Sequence, residues 1–149
     1  MDIESLLRSL SERDVRFVII GAFAFPVHGY DRATLDVDIF IAPDRENAAR
    51  VWEALRQTGY DVTDLTVDDL LTKKVLLRQY VVEADIHPFV AGVTFEEVWR
   101  DRIVQPFGSV QASFASLASL IKMKEAAGRP KDLEDLRRLR ALAAKPSSL

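Results

Sequence analysis

A chain of 149 residues, 48% hydrophobic and 29% charged, is sized for one globular domain that buries about 70% of its unfolded surface. Cysteine is absent and only His28 and His87 carry imidazole, which excludes disulfide staples, Cys-ligated zinc and an all-His metal site and leaves a hard, oxygen-bound ion as the metal the composition allows. The net charge of −3 argues against strong non-specific nucleic-acid binding, yet residues 122–149 hold 8 basic and 4 acidic side chains against 12 and 19 in residues 1–121, so the C-terminal end reads either as a solvated helix face or as a surface near a polyanion.

Ile3, Leu6, Leu7 and Leu10 recur at helical spacing, and Ser11 to Asp14 close that first helix. Arg16 to Gly21 is a short, β-branched, nearly apolar run of the kind expected for a strand buried on both faces. Ala22 to His28 is rich in small residues and contains Pro26, which predicts a short helix ended by Gly29. The longest nearly apolar run, Phe17 to His28, is far shorter than the roughly 20 residues that cross a bilayer, and the N-terminus lacks the positive region of a signal peptide, so a cytoplasmic protein with no membrane association is expected.

Leu35 to Ile41 alternates as a strand, with Asp36, Asp38 and Phe40 on one face and Leu35, Val37, Ile39 and Ile41 on the other. Pro43-Asp44 begins a capped helix whose stripe is Ala48, Val51, Trp52 and Leu55, stopped at Gly59. Asp61 to Lys74 is an acidic, weakly helical connection. Val75 to Tyr80 and Val81 to Phe89 read as two strands of a hairpin, the second presenting Glu83, Asp85 and His87 on one face.

Thr94 to Arg102 is predicted helical, Ile103 to Ser113 extended but broken at Pro106 and Gly108, and Ser116 to Ala127 and Lys131 to Ala143 are the closing helices. Trp52, Trp99 and Phe95 sit at helical spacing as core residues. The order implies an α/β (α+β) fold over residues 1–149, with a sheet core at about 16–113, a helical C-terminal appendage at about 116–144 and a disordered tail at 145–149.

Two Asp on one face of an otherwise apolar strand repel and desolvate one another unless a positive charge lies between them. Residues i and i+2 of a strand point the same way about 6 to 7 Å apart, so Asp36 and Asp38 can both reach a divalent cation, or else face solvent as alternating polar residues do. Asp85 is the best third carboxylate and Glu83 the reserve. No Gly-x-x-x-x-Gly-Lys, Gly-x-Gly-x-x-Gly or Gly-x-Ser-x-Gly occurs, which leaves P-loop, dinucleotide and nucleophile-elbow readings without support.

Gly21 at a strand end, a short helix, Asp36-Val37-Asp38 and a later Asp together resemble the nucleotidyltransferase fold shared with DNA polymerase β. More narrowly, Ile20 to Ala24, His28-Gly29, Arg32-x-Thr34-x-Asp36-x-Asp38 and the distal Lys-to-Asp run resemble bacterial minimal nucleotidyltransferases of the toxin–antitoxin type, over about Arg16 to Leu139. The resemblance implies a small mixed sheet flanked by helices, a Mg2+ or Mn2+ cofactor, and in-line transfer of a nucleoside monophosphate from an NTP to an acceptor hydroxyl. It makes Asp36, Asp38 and Asp85 metal ligands, with Asp85 helping to deprotonate the acceptor. The partners it implies are the NTP, an RNA or protein acceptor, a cognate toxin or antitoxin, and a second copy of the chain.

Gly21 and Ala22 fall where a strand meets a helix N-terminus, a place suited to phosphate. Ala22 replaces the Gly or Ser usual in the superfamily, removing a hydroxyl and keeping a backbone N–H. The alternative is therefore a catalytically degenerate module of the same fold that works through protein or RNA binding. Arg32 either forks onto a phosphate or pairs with Asp31 or Asp36, and Thr34 is a supporting hydrogen-bond donor. Lys124 lies on the packed side of its helix and wants a partner; by resemblance it binds nucleotide together with Arg129, Lys131, Asp132 and Asp135. Read without the resemblance, that run is a helix-loop-helix with Lys131 and Asp135 as a surface pair. Lys122 is solvated, His28 is a structural helix-end residue, and His87, on the same face as Asp85, ends its strand before Pro88.

Overall fold

The computed structural model describes residues 1–145. Six strands form one mixed sheet in the order β3-β4-β2-β1-β6-β5: β1 Phe17–Ile20, β2 Asp36–Ile41, β3 Val75–Leu77, β4 Glu83–His87, β5 Ile103–Phe107 and β6 Val110–Phe114. All four β1 residues are buried, as their unbroken apolar run requires of a central strand. β1 pairs antiparallel with β2 and parallel with β6, and β2 pairs parallel with β4. The expected α/β architecture with a mixed sheet is what the chain adopts.

The helices are α1 Ile3–Glu12, α2 Arg45–Thr58, α3 Val67–Thr72, α4 Phe95–Arg100, α5 Leu117–Ala127 and α6 Leu133–Ala143. Asp2 and Asp44 cap α1 and α2 by accepting from the N–H groups of Ser5 and Asn47, and Thr66 and Thr94 open α3 and α4 with capping boxes. Buried Asn47 accepts from the Arg16 N–H at 2.8 Å and donates to the carbonyls of Arg16 and Ala42. One side chain thus ties the start of α2 to the entrance of β1 and the exit of β2. α1 packs on α2 and β6, and α5 on α6.

Three expectations are refined. Ile103 to Ser113 is a hairpin, β5 to β6, whose Gly108 has φ +60 and lies so close to Glu4 that a side chain would collide with it. Pro106 is tolerated because β5 is an edge strand. The hairpin predicted over residues 75–89 is antiparallel but short, leaving residues 78–82 irregular. Ala22 to His28 belongs to a 3-10 helix, Gly21–His28, in keeping with Pro26 and the run of small residues.

Trp52 and Trp99 are only partly buried. The Trp52 indole donates to the Leu65 carbonyl at 2.8 Å, and Arg102 lies over the Trp99 ring at 3.7 Å. Of the expected disordered tail, residues 146–149 lie outside the described residues. Among the described residues no helix is long and apolar enough to cross a membrane.

Candidate functional site

The β1–β2 register sets Ile20 opposite Asp38, and Gly21, the next residue, turns out of the sheet at φ +69. A β-carbon there would stand 2.6 Å from Asp38 Oδ2, so both the backbone conformation and the close approach demand glycine. On the other side of β2, the parallel ladder sets Asp38 opposite Asp85 and Asp36 opposite Glu83. Asp38, Asp85 and His87 bring donor atoms within 4.8 Å of one another, with His87 Nε2 2.8 Å from Asp38 Oδ1.

Asp36 is not part of that trio; it is half-buried at the outer end of the strand, with Arg78 Nη2 3.9 Å from its Oδ2. The same guanidinium donates through Nη1 to Asp85 Oδ1 at 2.5 Å. That hydrogen bond, with the fields of Asp36 and Glu83, holds the Arg78 pKa above its ordinary value. The Glu83 carboxylate turns away to accept from the Gln79 N–H at 2.9 Å. Thr34 donates its hydroxyl to the Asp36 carbonyl at 3.1 Å, bracing the start of β2.

Two carboxylates, one of them held through Oδ1 by His87 and left unobstructed at Oδ2 by Gly21, fit a hard divalent ion of the Mg2+ or Mn2+ kind. The carboxylates open onto a cavity of about 520 Å3, also lined by Arg32, Lys74, Lys124, Arg129 and Lys131. Of the residues singled out from the sequence, Gly21, Ala22, Arg32, Thr34, Asp36, Asp38, Asp85, Lys124 and Asp132 line it, whereas Glu83 and Asp135 do not.

The basic side of the cavity is held by two buried carboxylates. Asp132 accepts from Lys124 Nζ at 2.8 Å and from Arg129 Nε and Nη2 at 2.6 and 3.1 Å. Arg129, and then Lys124, hold its carboxyl at a pKa of about 2. Asp135 has Lys124 Nζ at 3.3 Å from one oxygen, while the other accepts from the Tyr30 hydroxyl at 2.8 Å and has Arg32 Nε at 3.3 Å. Burial, and then Asp135, raise the Tyr30 pKa.

Arg32 therefore pairs with neither Asp31 nor Asp36, and Asp135 is no surface partner of Lys131. Of the two alternatives for Asp135, the surface pair with Lys131 fails because Asp135 faces inward, 3% exposed. Lys122 is exposed and reaches Glu97 at 3.4 Å. His28 Nε2 lies 2.8 Å from the Ala115 carbonyl, a helix-end structural contact. In the basic tail Arg137 and Arg138 pair with Glu134, and Arg140 with Glu125.

Sequence reasoning missed Arg78 and undervalued His87. Arg78 follows the short β3 in an irregular loop, where no periodicity marks it; the one available signal was that clustered carboxylates require a cation. His87 shared a face with Asp85, a stronger sign than the Pro88 that follows it.

A mixed sheet that pairs Asp38 with Asp85 beside a strand-end glycine, over a cleft rimmed with cations, is the arrangement that the resemblance to nucleotidyltransferases led one to expect. The family comparison is more particular: over residues 1–144 the chain matches the family described as nucleotidyltransferase of unknown function (DUF6036), and it belongs to that family. No curated protein matches it.

Proposed function

We propose that the protein is a divalent-metal-dependent nucleotidyltransferase that moves a nucleoside monophosphate from an NTP to an acceptor hydroxyl. The observation that carries the reading is the register pairing of Asp38 with Asp85 beside Gly21, at the wall of a cavity whose other rim is basic. Asp38 and Asp85, with Asp36 at their edge, would hold the ion, which when bound would polarise phosphate oxygens and acidify the acceptor hydroxyl.

The chain's own residues do the rest. The backbone N–H groups at Gly21 and Ala22, with Arg32, Lys124 and Lys131, neutralise and orient the triphosphate. Asp132 and Asp135 keep the Lys124 and Arg32 cations in place. Leu120, Met123 and Val90 line the same cavity and offer an apolar seat for a base. Asp85 accepts the acceptor's proton as the acceptor oxygen bonds to the α-phosphorus; the bond between the α-phosphorus and the bridging oxygen breaks, and pyrophosphate leaves.

Replacing Asp36 and Asp38 together by Asn should abolish transfer of label from an α-labelled NTP while leaving the circular dichroism unchanged. Transfer persisting in a folded double variant would refute the mechanism. A second reading, a binding module without catalysis, draws on Ala22, which has no hydroxyl to offer a phosphate. Calorimetry separates the two: tight binding of NTP with Mg2+ supports the enzyme, and no detectable binding of metal or NTP supports the module.

A further inference from the structure

Arg78 stands where a cation is needed. Its Nη1 is 2.5 Å from Asp85 Oδ1 and its Nη2 is 3.9 Å from Asp36 Oδ2, so one guanidinium spans the two carboxylates that flank Asp38 across and along the sheet. Asp85 is buried, and an ionised carboxylate in such a place costs free energy unless a positive charge neutralises it. Arg78 belongs to the irregular segment between β3 and β4, and its side chain is 39% exposed, so water is available to it if it lets go. The neighbouring Gln79 has φ +67 and donates its N–H to Glu83, which fixes the loop at the mouth of the cavity.

We infer that Arg78 is a resident counter-cation that occupies the charge-neutralising position of a divalent ion in the free protein, so that metal entry requires Arg78 to release Asp85. This rests on the metal-dependent reading above. Metal and guanidinium compete for the same oxygens, and the free protein binds divalent ions weakly. A triphosphate arriving with its metal gives the released guanidinium a new anionic partner, which couples metal binding to nucleotide binding.

The test is a titration of the nucleotide-free protein with Mn2+, with free ion followed by electron paramagnetic resonance. Arg78→Gln should bind Mn2+ at least about tenfold more tightly than wild type, because a like charge beside the ion is gone. Arg78→Lys keeps the charge and should stay near the wild-type affinity. A saturating NTP should tighten Mn2+ binding more in wild type than in Arg78→Gln.

Wild-type affinity in a folded Arg78→Gln, or an Arg78→Lys that binds Mn2+ as tightly as Arg78→Gln, would overturn the inference. Nitrogen-15 spectra of wild type give a readout that needs no variant: the Arg78 Nε–H resonance should move on Mg2+ addition, and an unmoved resonance at saturation counts against the exchange. Asp38→Asn distinguishes the two levels. Loss of Mn2+ binding in that variant together with an indifferent Arg78→Gln sinks the counter-cation and leaves the metal site standing, whereas no Mn2+ binding by any form overturns both.

Discussion

His87 on β4 reaches diagonally across the parallel ladder to Asp38 on β2, with Nε2 2.8 Å from Oδ1, although the register partner of Asp38 is Asp85. The imidazole is mostly buried, so this contact fixes the orientation of the Asp38 carboxylate. His87→Ala should weaken Mn2+ binding roughly tenfold or more, the usual consequence of removing a group that orients a ligand. Because His87 ends its strand, the thermal midpoint should fall by only a few degrees. Unchanged Mn2+ affinity in His87→Ala would show that Asp38 keeps its orientation unaided.

Gly21 offers a second handle on the same carboxylate. Gly21→Ala puts a β-carbon into a left-handed backbone, which costs on the order of 1 kcal/mol, and against Asp38 Oδ2. Asp38 must move, so Mn2+ binding should be lost in a protein that is still folded. Gly108→Ala is the comparison: its backbone is left-handed too, at φ +60, and its β-carbon would strike Glu4, but it does not line the cavity. Denaturant melts should show both variants destabilised, and only the first should lose metal binding.

The legible parts of this molecule are those in which one residue's neighbours in sequence determine its surroundings. Asp36 and Asp38 alternate with Val37, Ile39 and Ile41, so the face and the strand are read together. Asp44 before a helical stripe announces its own cap. The pairing of Asp38 with Asp85 is different in kind: α2, α3 and β3 intervene, and long-range register leaves no local pattern. The β5–β6 hairpin was hidden by Pro106, a residue that breaks an interior strand but not an edge. The surface-pair alternative for Asp135 survived in the sequence because the partners that draw it inward, Tyr30 and Arg32 above all, lie outside its own helix.

Asp132 makes the C-terminal helices acid-sensitive. Its carboxyl sits at a pKa of about 2 when folded, below the ordinary value of about 3.8 that an unfolded chain shows. The pairing with Arg129 and Lys124 therefore stabilises the fold in full above pH of about 4, and the contribution drains away as pH falls toward about 2. The shift corresponds to about 2 kcal/mol. Asp132→Asn should be less stable than wild type by about that amount near neutral pH, with the gap closing in acid. A gap that stays constant across urea melts at decreasing pH would mean that the pair does not titrate as described.

Tyr60 sets the corresponding alkaline limit. Its side chain is 3% exposed and donates its hydroxyl to the Val82 carbonyl at 2.7 Å, and the Tyr80 ring lies edge-on at 4.7 Å. Burial, and then the neighbouring Tyr80, push its pKa up to about 12. The folded state thus holds the phenol's proton more tightly than the unfolded chain does. Its contribution to stability is whole below pH of about 10 and is lost as pH rises through about 12, on the order of 2 kcal/mol in all. Tyr60→Phe removes the ionisable group and leaves the Val82 carbonyl without its donor, at a cost of about 1 kcal/mol near neutral pH. The variant should be the weaker protein at neutral pH and should lose less stability in alkali, so the two curves approach and then cross above pH of about 10. Urea melts read alongside phenolate absorbance test this, because the alkaline loss in wild type should coincide with the slowest-titrating tyrosine. A Tyr60→Phe protein that unfolds in alkali as steeply as wild type would assign the transition to another group.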